Sequence, residues 1–379
     1  MSLGIRPTHC AWVYHPEQSC GIVHDQMPEA GAVLQDPEYA AVCRELIARG
    51  AEIGSHGVSS GNNTRESVRE GLREHGEIVG SPPRVICFHK HNAENLYWGE
   101  EFSSSSIIRW LVRRLVPTSH ERYEGHKQSS AYFCGDLMRA RFDYTRLFRT
   151  VSLNVLSKNP SMPFHLDDKP YVKYWFSCVA QDLRACRRVS ARSLDKLAKE
   201  DGLFLLYAHM AEKFVDDDAR IHPEVQRAFS LISSREDCWK DQVSSILDRL
   251  LAIKNLIVTP RRSGCVVSNP THVVLRDVQF RCGREKIVAQ GGQVLRPDVN
   301  GVFVLPEIPA YSAVSLFKSE EALAAGDPRG ISGIEVLRMK LEEVRRLLLF
   351  RSDYRSTKLR EKEFVEPAAQ VRVGTADGE

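Results

Sequence analysis

Residues 36–56 read DPEYAAVCRELIARGAEIGSH, and this run decides the fold class. Asp36 offers an N-cap oxygen, and Pro37 takes the first helical position, where its missing N–H costs nothing. Tyr39, Val42, Cys43, Leu46 and Ile47 follow at i, i+3, i+4, i+7 and i+8, one apolar helix face, and Gly50 closes the helix. Residues 51–55 (AEIGS) follow at once with the composition of a strand. The unit repeats on both sides. Residues 8–14 (THCAWVY) form a strand upstream. Downstream, Asn63 with Glu66 three residues on opens a second helix, with Val68, Leu72 and Val79 inward. Ser81-Pro82-Pro83 ends it, and residues 84–88 (RVICF) make the next strand. Alternating strands and helices imply a parallel sheet or a barrel, because parallel neighbours need a crossover connection.

Further along, residues 99–190 pass through a loop-like stretch into an aromatic segment from Tyr132 to Phe176, which serves either as core or as stacking surface for sugar rings. Alternation resumes with a helix ending near Gly202 and the run 203–207 (LFLLY), typical of a strand buried on both faces. His222-Pro223 opens another helix. Trp239, Val243, Ile246, Leu247 and Leu250 mark the face of one more, and residues 255–259 (NLIVT) read as the last strand of this half. The run 260–264 (PRRSG) is the domain boundary. Beyond it the period is two, with Val278/Phe280, Val302/Val304 and Val314/Leu316 alternating with polar residues. From Ile331 a helical period returns through Ile334, Leu337, Leu341, Val344 and Leu348. The expected organisation is an α/β domain at 1–260, a small antiparallel β domain at 265–320, a packing helix at 331–360 and a disordered tail at 366–379.

Composition narrows the function. The 379 residues include 52 Lys and Arg against 49 Asp and Glu, a net charge of +3, too balanced for a dedicated nucleic-acid binder. With 42% apolar and 27% charged residues the chain is neither disordered nor fibrous. Ten cysteines without a CxxC pair read as reduced thiols of an intracellular, cytoplasmic protein. No apolar run approaches the ~20 residues that span a bilayer, and the N-terminus lacks a signal-peptide pattern.

In parallel strand–helix folds, ligands bind beyond the carboxyl ends of strands. Histidines stand at several such ends. His56 tips the strand 51–55, His89, Lys90, His91 and Asn92 follow RVICF directly, and His209 lies two residues past LFLLY. Their convergence on one cleft is the expectation that carries the functional reading. The turn Gly57 to Gly61 follows a strand and precedes a helix, but lacks the Lys-Ser/Thr of a phosphate-binding loop.

Gly50-Ala51-Glu52-Ile53-Gly54-Ser55-His56 resembles the second motif of the NodB-type polysaccharide deacetylases, carbohydrate esterase family four, in which such a strand precedes a metal-binding histidine. Residues 202–209 (GLFLLYAH) resemble the family's last motif, an apolar strand ending in the histidine that acts as general acid. The resemblance spans roughly residues 5 to 260. It implies a distorted or incomplete (β/α) barrel and hydrolysis of a carbon–nitrogen amide bond on a glycan or related small substrate. By this resemblance His209, His56 and His91 are the catalytic candidates. His56, His89 and His91 are candidate ligands for a divalent, zinc-like metal. Asn62, Asn92, Trp98 and His165 are candidate substrate contacts.

The chain departs from the family's pattern. The first motif, a strand ending in two aspartates, has no room upstream of residue 8. His24-Asp25 lies too close to His56 to replace it, and Ser60 stands where the second motif carries another histidine. The Arg-x-Pro signature is missing beside FHKHN. Two alternatives therefore stay open: a non-catalytic carbohydrate-binding or scaffolding protein derived from the barrel, and a glycoside hydrolase drawing paired carboxylates from Glu52, Glu94 or Asp136.

Overall fold

The computed structural model describes residues 3–19, 31–89, 92–98, 106, 110, 123–179, 183–209, 214–215, 218, 220–261, 264–281, 287–289, 293–299, 301–317 and 372–373. It divides into two compact units between Ile246 and Leu247.

The first unit is built on a parallel sheet. Its strands β1 (Thr8–Ala11), β2 (Glu52–Ser55), β3 (Val85–Ile86), β4 (Tyr144–Thr150) and β5 (Tyr174–Val179) lie in sequence order, each parallel to the next. Helix α1 (Pro37–Ala48) connects β1 to β2, and α2 (Arg65–Val79) connects β2 to β3. The mixed α/β class expected from residues 36–56 is thus present. Thr64 rather than Asn63 caps α2, its hydroxyl accepting from the Ser67 N–H. Val68, Leu72 and Val79 are buried as expected, packed in one core with Ile53, Ile86, Phe88 and Trp175. Cys43 of α1 is buried too, but Val42 is 51% exposed, because the i+3 position falls on the rim of the apolar stripe. Helix α3 (Gly135–Arg141) precedes β4, and α4 (Leu183–Arg188), α5 (Ala191–Lys199) and α6 (Pro223–Ser233) follow β5.

Two sequence expectations are corrected in this unit. Residues 203–207 are half-buried, and they join the sheet by a single parallel bridge, Val179 to Leu206. Val179 N–H donates to Leu205 O, Tyr207 N–H to Val179 O, and the Val155 N–H to Leu203 O. Trp239 lies before the next helix, α7 (Val243–Lys254), and is 54% exposed. That helix begins where the Val243 N–H donates to Thr8 Oγ1 and the Ser244 N–H to Glu52 Oε2, a carboxylate meeting the positive end of the helix.

In the second unit, β6 (Ile257–Arg261) pairs antiparallel with β7 (Gly264–Asn269) rather than closing the parallel sheet. Two residues separate them, a length that permits a hairpin and forbids a crossover. Strands β8 (Leu275–Arg281), β9 (Ile287–Ala289), β10 (Val294–Leu295), β11 (Val302–Ile308) and β12 (Ser312–Phe317) complete it. One sheet runs β10-β9-β12-β7-β6 and the other pairs β11 with β8. The period-two reading holds in β8, where Val278 and Phe280 are buried. In β11 it is out of phase: Phe303 and Leu305 are buried and Val304 is 43% exposed. Both phases of VFVL are apolar, and the larger side chains take the inner face. The helix expected at 331–360 lies outside the described residues. From the tail only β13 (Arg372–Val373) is described, parallel to Ile257–Val258. No helix among the described residues is long and apolar enough to cross a membrane.

Candidate functional site

Where β2 ends, His56 leaves the sheet, and Gly57 turns the chain at φ +91°, a conformation open to glycine and strained for other residues. The His56 N–H is held by Ala11 O at 3.0 Å, and its carbonyl accepts from the Trp12 indole N–H at 3.1 Å. Its ring Nδ1 makes a short hydrogen bond to the carbonyl of Cys87, beyond the end of β3. A carbonyl only accepts, so Nδ1 carries the proton and Nε2 the lone pair.

His89 reaches the same result through an amide. Asn92 Nδ2 donates to Ser59 O at 3.0 Å, Gly61 O at 2.8 Å and Glu94 Oε1 at 3.0 Å. All of these partners are acceptors, so the amide orientation is determined and Oδ1 faces His89 Nδ1 at 3.1 Å. His89 Nδ1 must therefore donate, which leaves its lone pair on Nε2 as well.

These two imidazoles stand together. Their ring centroids are 5.4 Å apart, and Trp12 packs against both, tilted 5.2 Å from His56 and edge-to-face 5.3 Å from His89. The third predicted histidine joins them, for His209 lies 6.4 Å from His56. Tyr207 Oη sits 2.7 Å from His209 Nε2. Loss of water and the adjacent His89 push the pKa of His56 well below its ordinary value, so it is a neutral base near pH 7. Arg146, from β4, lies beneath the aromatic wall with its guanidinium 4.1 Å from the centre of the Tyr207 ring.

The other candidates divide. Asn62 is buried and accepts from the Ala93 N–H at 2.8 Å, and Asn92 is buried in the network just described. Both brace the loops that carry the histidines. Trp98 is half-buried, 6.4 Å from Phe88 and 5.9 Å from the Arg146 guanidinium. His165 is taken up elsewhere, its Nδ1 donating to the carbonyls of Val172 and Lys173 at 3.1 and 3.0 Å. His91 lies outside the described residues, as do His24 and Asp25. Of the carboxylates, Glu52 is bound by Thr8 and Ser244, Asp136 pairs with Arg65, and Glu94 accepts from Asn63 and Asn92.

Sequence reasoning missed Trp12, Tyr207 and Arg146. Trp12 and Tyr207 were hidden inside apolar runs read only for strand propensity. Tyr207 stands two residues before His209, a spacing that puts both on one side of an extended chain. The signal for Arg146 is a charge within a strand of a sheet with helices at its faces.

Among the described residues no group of three or more His, Cys, Asp and Glu is arranged to hold a metal ion. Two imidazole nitrogens with lone pairs, on His56 and His89, are part of the donor set that a catalytic zinc needs.

No known protein family's profile matches the chain, and no curated protein matches it. Solved structures that it resembles include an Anoxybacillus alpha-amylase, at 8% identity and a TM-score of 0.17, over 80% of this chain and 66% of the amylase, just under two thirds. A likeness at that score carries no argument about fold or chemistry.

Proposed function

We propose that the protein is a polysaccharide deacetylase-like hydrolase that cleaves the amide bond of an acylated glycan or a related small substrate. The observation that carries this reading is the meeting of His56 and His209, from distant parts of the chain, at 6.4 Å beyond the sheet. The resemblance of residues 50–56 and 202–209 to two NodB motifs supports it, and so does the parallel sheet, which we read as part of a distorted or incomplete (β/α) barrel. The eight cysteines described are all free, in keeping with a cytoplasmic location.

Amide hydrolysis needs an activated water and an acid for the departing amine. His209, whose Nε2 is held by Tyr207 Oη, would hand a proton to the nitrogen of the departing amine. His56 and His89 would hold a divalent, zinc-like ion through Nε2, and such an ion supplies an activated water when bound. Trp12 fixes the planes of both rings, and Asn92 fixes the tautomer of His89.

The test is acetate release from N-acetylated chito-oligosaccharide by the full chain supplemented with zinc. We expect release, with His209→Ala and His56→Ala each lowering it at least about a hundredfold, the usual range for an acid–base group. The second reading, a non-catalytic glycan-binding protein, rests on the braced state of Glu52, Glu94 and Asp136 and on Ser60. It prevails if no acetate appears with any divalent ion while the oligosaccharide still binds and His56→Ala leaves that binding unchanged.

A further inference from the structure

Arg146 is 5% exposed, and arginine does not shed its proton at any pH a folded protein meets. Its Nη2 donates to Phe88 O at 3.1 Å. Nε and Nη1 are shielded from solvent and have no hydrogen-bond partner. Among the described residues, no carboxylate lies within ion-pair distance of it. The faces of the guanidinium are covered by aromatic rings, Tyr207 at 4.1 Å and Trp98 at 5.9 Å. Ring faces attract a cation, but they do not replace an anion or satisfy N–H groups.

A buried cation without a counter-charge carries a large desolvation penalty, and donors left unmet add to it. A water molecule would satisfy the donors and leave the charge. An oxyanion would satisfy both with charge-assisted hydrogen bonds. The place is also informative: the ring on which Arg146 stacks holds His209 through its hydroxyl, so an anion meeting Nε or Nη1 sits beside the histidine cluster.

We propose that the first unit binds a ligand carrying an oxyanion, a carboxylate or a phosphate, and that Arg146 receives it. Three sources share this chemistry: an acyl group released as a carboxylate, an acidic sugar, and a phosphorylated ligand. The inference concerns binding alone, so it stands or falls apart from acetate release.

The experiment is calorimetric titration of the full chain, at constant ionic strength, with sodium acetate, sodium D-glucuronate and inorganic phosphate, against neutral acetamide and D-glucose. At least one anion should bind where the neutral compounds do not, and which one binds identifies the source. Arg146→Met should weaken that binding roughly ten- to hundredfold, the loss of a charge-assisted hydrogen bond. If Arg146→Met does not fold, Arg146→Lys takes its place. It keeps the charge, loses the planar donors, and should bind about tenfold more weakly. The proposal is overturned if no anion binds more tightly than its neutral counterpart, or if the folded variant binds as tightly as the original chain.

Discussion

Glu94 lies fully inside the first unit and is nevertheless the anchor for a side chain of the candidate site. Its Oε1 accepts from Asn63 Nδ2 at 2.7 Å and from Asn92 Nδ2 at 3.0 Å, while Oε2 accepts from the Asn63 N–H at 3.1 Å. Burial raises its pKa, and these donations oppose the rise. Through Asn92 the carboxylate joins Ser59 O and Gly61 O in fixing which nitrogen of His89 carries a proton. Glutamine has the same shape and brings an N–H to a position that must accept, in either orientation of its amide. Glu94→Gln should therefore destabilise the protein by about 1–3 kcal/mol, read from the urea midpoint. His89 should keep its single tautomer, because Ser59 O and Gly61 O still hold Asn92 Nδ2. A variant with unchanged stability would show that the network does not depend on those acceptances. Residues of this kind are illegible in a sequence, since a glutamate two positions after an asparagine looks like any solvated loop. His56, His89 and His209 were legible because each stands at the end of an apolar run, where parallel folds place their ligands. Tyr207 and Arg146 were not, because their roles arise from contacts between strands that the sequence separates.

Among the elements, the stretch 203–207 is the weakest link to the site. It carries Tyr207 and delivers His209, yet it is half-buried, and its backbone is tied by two hydrogen bonds to Val179 and one from the Val155 N–H to Leu203 O. Strands β4 and β5, by contrast, pair along their length and hold buried Tyr144, Trp175 and Phe176. Opening free energy follows the number of shielded hydrogen bonds and buried apolar contacts. The amides of Leu205 and Tyr207 should accordingly exchange with deuterium at least about tenfold faster than those of Trp175 and Phe176. Equal protection would mean that the stretch is held as firmly as the central strands. Here the sequence misled for a physical reason: LFLLY has the composition of a doubly covered strand, and composition does not say how many neighbours a strand will find. Helices α1 and α2 were legible because an apolar period is a local property, although the caps differ from expectation: Asp36 makes no side-chain capping bond, and Thr64 rather than Asn63 caps α2. The assignment of β6 failed because the choice between a hairpin and a crossover depends on the next strand, not on residues 255–259 themselves.

For the molecule as a whole, buried histidines set the response to acid. His75 of α2 is fully buried, with Nε2 3.2 Å from Gly54 O, and burial pushes its pKa down to about 4. Burial lowers His9, and burial together with His89 lowers His56. An unfolded imidazole takes its proton near pH 6.5. Between that value and about 4 the unfolded chain therefore binds more protons than the folded one, so stability rises with pH across this window and is lost as pH falls through it. His75 alone accounts for about 3 kcal/mol by pH 4. The carboxylates held low by their partners, Asp36, Asp136 and Asp143, act in the opposite sense of charge but lose their contribution only below about pH 4. The two windows are thus separate. Urea midpoints measured at pH 7.5, 5.5 and 4.5 should fall steadily for the original chain. In His75→Gln, which keeps a donor for Gly54 O and cannot take up a proton, the midpoint should fall less over the same interval. Parallel slopes for the two proteins would mean that the acid response comes from other groups, and that the imidazole of His75 is protonated as readily in the folded state as in the unfolded one.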